Sequence, residues 1–216
     1  MKNILITGGS GFIGSRLCEK LYARGYSITI LDNLSEQIHG TTESSLFKMI
    51  KGKCTFIKGD VRNKEDWKKV IGGQDIIVHL AAETGTGQSM YEIEKYNDVN
   101  IMGTAHLLEI LASTEHSVKK MIVASSRAIY GEGKYNCKIH GDQYPLRRKE
   151  IDMERAEFNP KCDICNVELN LLATDEKSKI NPSSIYGINK QQQEQMVMLM
   201  GDSLGIPSVA FRYQNA

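Results

Sequence analysis

No apolar run in the chain approaches the roughly 20 residues that a membrane span requires, which excludes a helical membrane protein. The first apolar stretch, Ile4–Thr7, is too short for the core of a signal peptide and runs straight into glycines. A cytoplasmic location is therefore expected. Excess charge of either sign is missing as well. The formal net charge is +1, and the cations are dispersed among acids, as in Lys64-Glu65-Asp66-Trp67-Lys68. Such a balance argues against nucleic acid or a membrane surface as partner. Cysteines are few, odd in number and unevenly spread, at 18, 54, 137, 162 and 165. Without a secretory signal, that pattern argues against a disulfide framework. There is no internal repeat and no low-complexity tract. What is left is an ordinary globular balance, 41% hydrophobic and 25% charged. The 216 residues suffice for one sizeable domain, or one domain and part of another.

Strand-like and helix-like stretches alternate. Strands are expected at Asn3–Thr7, Ser27–Leu31, Cys54–Ile57, Asp75–Leu80, Lys120–Ser125 and Pro207–Arg212, each a largely apolar run. A helix is expected at Gly11–Gly25, with Ile13, Leu17, Leu21 and Tyr22 on one face. Others are expected at Lys64–Ile71, N-capped by Asn63, at Tyr91–Ser113, and at Tyr186–Leu204. Leu107, Leu108, Ile110 and Leu111 are the buried candidates of the long Tyr91–Ser113 helix. Apolar strands alternating with helices indicate an α/β fold, a Rossmann-type doubly wound parallel sheet covered on both faces. Gly131–Ser184 breaks the rhythm, being polar and without apolar periodicity. A structureless loop of that length is unusual in a compact domain, so this segment is expected to carry its own organiser.

Thr7-Gly8-Gly9-Ser10-Gly11-Phe12-Ile13-Gly14 ends the first strand and opens the first helix. Gly8 permits a tight turn, Gly11 lets the backbone approach a pyrophosphate, and Gly14 allows close helix–strand packing. Amides at the helix N-terminus then face the phosphate charge. An acid, Asp32, closes the second strand 18 residues beyond Gly14, where its carboxylate can accept from the adenosine ribose hydroxyls. It would repel a 2′-phosphate, and neither Asn33 nor Leu34 supplies a cation, so NAD is favoured over NADP.

Tyr186-Gly187-Ile188-Asn189-Lys190 puts Tyr and Lys four apart, on one helical face. A nearby ammonium is expected to lower the phenol pKa and make Tyr186 a proton acceptor. Ser126, just past a strand, is placed to hydrogen-bond the same substrate oxygen. The order of these motifs resembles the extended short-chain dehydrogenase/reductase family, the NAD-dependent sugar epimerases and dehydratases. TGGSGFIG at 7–14, GDVR at 59–62, HLAA at 79–82, Asn100 before GT at 103–104, SSRAIYG at 125–131, YGINK at 186–190 and RYQN at 212–215 carry the resemblance. It covers nearly all of the chain outside 132–181.

By that resemblance Ser126, Tyr186 and Lys190 are the catalytic set. The cofactor residues it implies are Gly8, Gly11, Phe12, Ile13 and Gly14, then Asp32, Asn33, Asp60, Val61, Leu80, Ala81, Ala82 and Asn100, together with Tyr186, Lys190 and Tyr213. Ser126, Arg127 and Asn215 would meet a nucleotide-sugar substrate. Gln214 departs from the aromatic residue usual before the last Asn. Relatives continue into a C-terminal substrate lobe where this sequence stops at Ala216, so that lobe is expected to be largely missing. A homodimer through the two long helices is also implied. Dehydratases of the family carry an Asp-Glu pair directly after the active-site Ser/Thr. Arg127-Ala128 stands there, which points away from elimination and toward 4-epimerisation through a transient 4-keto sugar. The branch it looks like is the dTDP-L-rhamnose 4-epimerases. The alternatives are a dehydratase or reductase of the same family, or a module that binds NAD without turnover.

Cys137-Lys138-Ile139-His140 and Cys162-Asp163-Ile164-Cys165 form two chelating pairs joined by a loop. That spacing suits a tetrahedral zinc site filled by four protein ligands, hence structural. The expected layout is an NAD-binding domain over 1–131 and 182–216, interrupted by a zinc-ribbon-like insert over 132–181. Cys18 and Cys54 are expected in the core.

Overall fold

The computed structural model describes residues 2–40 and 44–214. The first half runs β1 (Asn3–Thr7), α1 (Phe12–Tyr22), β2 (Ser27–Asp32), α2 (Glu36–His39), α3 (Ser45–Ile50), β3 (Thr55–Lys58), α4 (Lys64–Ile71) and β4 (Ile76–His79). It continues with α5 (Ile93–Tyr96), which passes through a π-helical stretch, Asn97–Met102, into α6 (Gly103–Ser113), followed by β5 (Lys120–Ser126). Beyond these lie β6 (Tyr135–Cys137), β7 (Gly141–Gln143), α7 (Glu150–Glu154), β8 (Asn170–Leu171), α8 (Ile185–Ser203) and β9 (Ser208–Tyr213). Among the described residues no helix is long and apolar enough to cross a membrane.

Six strands form one sheet in the order β3-β2-β1-β4-β5-β9, all parallel. The order reverses direction between β1 and β4, and ligands of such sheets bind at that reversal, beyond the carboxyl ends of the strands. Successive side chains of a strand point to opposite faces, and both faces here are apolar. Ile4, Ile6, Ile28, Ile30 and Val78 pack on one side with Cys18 of α1. Leu5, Leu31, Ile77 and Val123 pack on the other against Trp67, Leu107, Leu111 and Val197 of the helices. Each fully buried aliphatic side chain contributes about 1.5–3 kcal/mol, so this double layer is the main source of stability.

The expected elements stand within a few residues of their expected ends. Asn63 caps α4 as read, its Oδ1 accepting from Glu65 N at 2.9 Å. Leu107, Leu108, Ile110, Leu111 and Cys18 are buried, and Cys54 is half-buried. Tyr22 is a correction: it is 51% exposed, because it is the last residue of α1, where the chain already turns off toward β2. The small helices α2 and α3 were not expected. Beyond β5 a second sheet, antiparallel and ordered β7-β6-β8, stands apart from the first.

Trp67 is fully buried and its Nε1 donates to the Val61 carbonyl at 2.8 Å. Trp67→Ala is expected to lower the unfolding free energy by about 3–5 kcal/mol. Trp67→Phe should lower it by about 1–3 kcal/mol, mostly through the orphaned carbonyl. Urea unfolding of both variants checks this, and a Trp67→Phe variant as stable as wild type would mean that the hydrogen bond contributes nothing.

Candidate active site

The turn after β1 tolerates no side chains where the chain has its glycines. Gly8 has φ +66°, and a Cβ there would stand 2.7 Å from Ala81 N. At Gly14 it would stand 2.5 Å from the Gly9 Cα, so α1 lies directly against the turn. Asp32, 9% exposed, is fixed from both sides: Oδ2 accepts from Ser10 N and Oδ1 from Leu34 N, each at 2.9 Å. A carboxylate has about four lone-pair sites, which leaves capacity for ribose hydroxyls. Asn33 Nδ2 donates to Asp60 Oδ2 at 3.1 Å, and Arg62 donates to the same carboxylate. A cavity of about 490 Å³ opens here. Every cofactor residue expected from the sequence lines it, apart from Asn100.

At the β5 end of the cavity stand Ser126, Tyr186 and Lys190. Ser126 closes β5, and its Oγ accepts from Ala128 N at 3.1 Å. Ser184 caps α8 by accepting from Gly187 N at 3.0 Å. A Cβ at Gly187 would meet the Ala128 carbonyl at 2.6 Å, so α8 approaches the turn after Ser126 as closely as a backbone can. That approach brings Tyr186 to the Ser126 end of the cavity. Lys190 is 3% exposed, its Nζ donating to Ala124 O at 3.0 Å and lying 5.9 Å from the centre of the Tyr186 ring. Burial pushes the lysine down to about 7. Burial also holds the Tyr186 phenol above its ordinary value, with the nearby Ser126 hydroxyl pulling the other way. The expected lowering of the phenol by Lys190 is thus overridden: both groups are desolvated, and desolvation favours the neutral form of each.

The chain matches the NAD dependent epimerase/dehydratase family over residues 4–150. It belongs to that family. A dTDP-L-rhamnose 4-epimerase from Burkholderia thailandensis is 32% identical over 99% of this chain and 58% of its own. A putative UDP-glucose 4-epimerase from Methanocaldococcus jannaschii is 30% identical, over 98% of this chain and 55% of its own. Among solved structures, a UDP-glucuronic acid 4-epimerase variant from Bacillus cereus, in complex with a UDP-sugar and NAD, superposes with a TM-score of 0.69 at 26% identity. That match covers 98% of this chain and 56% of the other. The chain therefore spans between 55 and 58% of the length of these relatives.

In this epimerase/dehydratase family member Asn100 acts at one remove from the cavity. Fully buried in the π-helical stretch, its Oδ1 accepts from Glu83 N at 2.9 Å and its Nδ2 donates to Glu83 O at 3.1 Å. It pins the loop after β4 whose Ala81 and Ala82 line the cavity. Beneath that loop His79 is held neutral: burial takes it down to about 3, with the Lys190 charge adding. Arg127 lies outside the cavity lining; its guanidinium donates to Gly131 O at 2.8 Å. Asn215 falls outside the described residues. Sequence reasoning missed the rim built by Ser35, Gln37, Ile38, His39 and Leu46. Nothing periodic marks that stretch, because α2 and α3 are too short to show an amphipathic pattern. Cys137, His140, Cys162 and Cys165 converge in the small sheet, away from the cavity lining.

The buried lysine makes stability depend on pH. Its unfolded-state pKa is near 10.4 and its folded value about 7. Between these values the unfolded chain binds the extra proton, so the lysine's contribution is complete above the unfolded pKa and is lost as pH falls toward 7. Urea unfolding of ligand-free protein at pH 7.5 and 9.5 is expected to show wild type gaining about 2 kcal/mol on Lys190→Met across that interval. A difference independent of pH would show that Lys190 stays charged in the folded protein.

Proposed function

We propose that this chain holds NAD and epimerises a nucleotide-linked sugar at carbon 4 through a transient 4-keto intermediate. The observation that carries the reading is the juxtaposition of Ser126, Tyr186 and Lys190 at one end of the cavity, with no free acid pair beside them. Arg127 is turned to Gly131 and Ala128 has no acid to offer. Glu83, the carboxylate in the lining next to Thr84, is paired with Lys95 at 3.3 Å. Water elimination needs a general acid and a general base at the sugar, whereas 4-epimerisation needs only one proton acceptor and one reversible hydride acceptor.

The residues present fit NAD. The glycine turn at 8–14, occluded to any Cβ at Gly8 and Gly14, would take the pyrophosphate on the α1 amides, and Asp32 the adenosine ribose. Among the described lining residues Lys190 is the one Lys or Arg, three strands away from Asp32, so a 2′-phosphate beside Asp32 finds no lysine or arginine, only the His39 imidazole 4.0 Å from the carboxylate. Bound NAD supplies a hydride acceptor that can return what it takes. Tyr186 accepts the C4 hydroxyl proton and gives it back, and Ser126 donates to the same oxygen. Lys190, one turn on from Tyr186, regains its charge as the phenol loses its proton and stabilises the phenolate. Likeness to the Burkholderia thailandensis relative supports dTDP-L-rhamnose as the sugar. A homodimer through α5–α6 and α8 is supported by Ile93, Met102, Ile188 and Leu199, which remain exposed there. A monomer in sedimentation at tens of micromolar would remove the dimer.

Incubating the full-length protein with dTDP-L-rhamnose is expected to give the 4-epimer without added NADH. Net accumulation of NADH, or a 4-keto-6-deoxy product, would overturn the reading. Tyr186→Phe should hold NAD nearly as well as wild type while losing about 10²–10⁴-fold in turnover. NAD binding with no turnover of any nucleotide sugar, in wild type and variant alike, would leave a binding module.

A further inference from the structure

We propose that Cys137, His140, Cys162 and Cys165 hold one structural zinc ion, which organises the segment between Ser126 and Tyr186. This segment has almost no apolar core of its own. Its buried cluster is Tyr135, Cys137, Cys162 and Leu169, with Cys165 packed on it, while Ile139, Phe158, Ile164 and Leu171 stand exposed. A unit of roughly fifty residues with so little to bury needs a disulfide or a metal. Its cysteines are free thiols, and they converge with a histidine.

Cys137 Sγ lies 3.6 Å from both His140 Nδ1 and Cys165 Sγ, and Cys162 Sγ lies 3.5 Å from His140 Nδ1. All four atoms fall within 4.8 Å of one another. Tetrahedral zinc, with Zn–S of about 2.3 Å and Zn–N of about 2.0 Å, sets edges of about 3.8 Å between sulfurs and about 3.5 Å between sulfur and nitrogen. The cluster has those dimensions. A disulfide would use two of the four groups and leave a thiol and an imidazole without partners.

Asn166, at φ +57°, turns the chain back so that its N–H reaches Cys162 O at 2.8 Å. Four protein ligands leave no open position, so the ion cross-links the segment and does no chemistry on the sugar. The base of the segment is fastened separately, by Asn181 N donating to Ile129 O at 2.9 Å and by Arg212 on Glu176 O at 3.1 Å. Metal loss should therefore loosen the far part and spare the NAD cavity.

Elemental analysis of full-length protein purified without chelators is expected to find about one zinc per chain. The double substitution Cys162→Ser and Cys165→Ser should bring it below about a tenth, open residues 132–181 to protease, and change NAD affinity less than about threefold. Four results would overturn the proposal: wild type without metal after zinc supplementation, a different metal at full occupancy, a disulfide among these cysteines, or unchanged zinc in the variant. Should the variant not fold, cobalt exchanged into wild type decides. Tetrahedral ligand-field bands with thiolate-to-cobalt charge transfer are expected, and an octahedral spectrum or no uptake overturns the site.

Discussion

The Thr104 hydroxyl, fully buried, joins three elements at one atom. It donates to Asn100 O at 2.7 Å and accepts from His79 Nε2 at 3.0 Å and Gln193 Nε2 at 2.8 Å. With its one proton committed to a carbonyl, Thr104 can only accept from the imidazole, so His79 carries its proton on Nε2. The Nδ1 is then an acceptor, filled by the Thr7 hydroxyl at 2.7 Å, and Thr7 Oγ1 in turn accepts from Ala81 N at 3.3 Å. Direction is thus fixed from α6 through β4 to β1. Each member lost would leave a buried partner orphaned, at about 1–3 kcal/mol. A protonated His79 would have two donors aimed at hydroxyls already ordered the other way. The suppression of its charge by burial is therefore a condition of the network, and the network in turn sets the loop that lines the cavity.

The same chain reaches the Ser126–Tyr186–Lys190 end of the cavity. Gln193 lies three residues beyond Lys190 on α8, and Asn189 Nδ2 donates to Asn97 Oδ1 at 2.7 Å. Together they lock α8 onto the π-helical stretch and α6, and so they hold Tyr186 in position near Ser126. Burial there draws the two titrations together, taking Lys190 down to about 7 and raising Tyr186. Removing the phenol proton would restore the lysine's reason to be charged, because a phenolate nearby offsets the desolvation that keeps the lysine neutral. The reading of Tyr–x–x–x–Lys as a lysine that lowers a phenol describes that charged state. In the protein alone the two groups share a preference for neutrality.

Much of this was legible in sequence because it depends on what a residue lacks. Gly8 and Gly14 stand where a Cβ collides with Ala81 and Gly9, and no other residue could occupy those places. The sheet was legible from apolar alternation, Ile4 and Ile6 against Leu5, since both faces are buried. What could not be read depends on three-dimensional approach. The sequence places Asn100 among the cofactor residues, while in the fold its partners are the backbone of Glu83, 17 residues away. The sequence puts Arg127 toward the sugar, while in the fold Gly131 O, four residues on, holds its guanidinium. The rim from Ser35 to His39 has no pattern at all, being set by where β2 ends.

The small sheet shows the opposite balance. Its strands are two or three residues long, too short for any period, and its core is mostly sulfur. Only the chelating spacing was visible in advance, and that spacing is local: each pair sits in a single turn. Bringing the two pairs together is the work of β6, which pairs with β7 at Cys137↔Gly141 and with β8 at Tyr135↔Leu171. Five or so ladder pairs cannot hold such a sheet unaided, since even an isolated hairpin is marginal in water. The segment's base draws instead on the main fold. Arg212 on β9 forks onto Glu194 of α8 at 2.6 Å and stacks over the Tyr130 ring at 5.1 Å, beside the turn that begins at Ser126. One guanidinium thereby holds the exit and the return of the segment against the helix that carries Tyr186. Geometry at the Tyr186 end of the cavity is secured from within the Rossmann sheet, so the segment's far part is free to depend on a cross-link of its own.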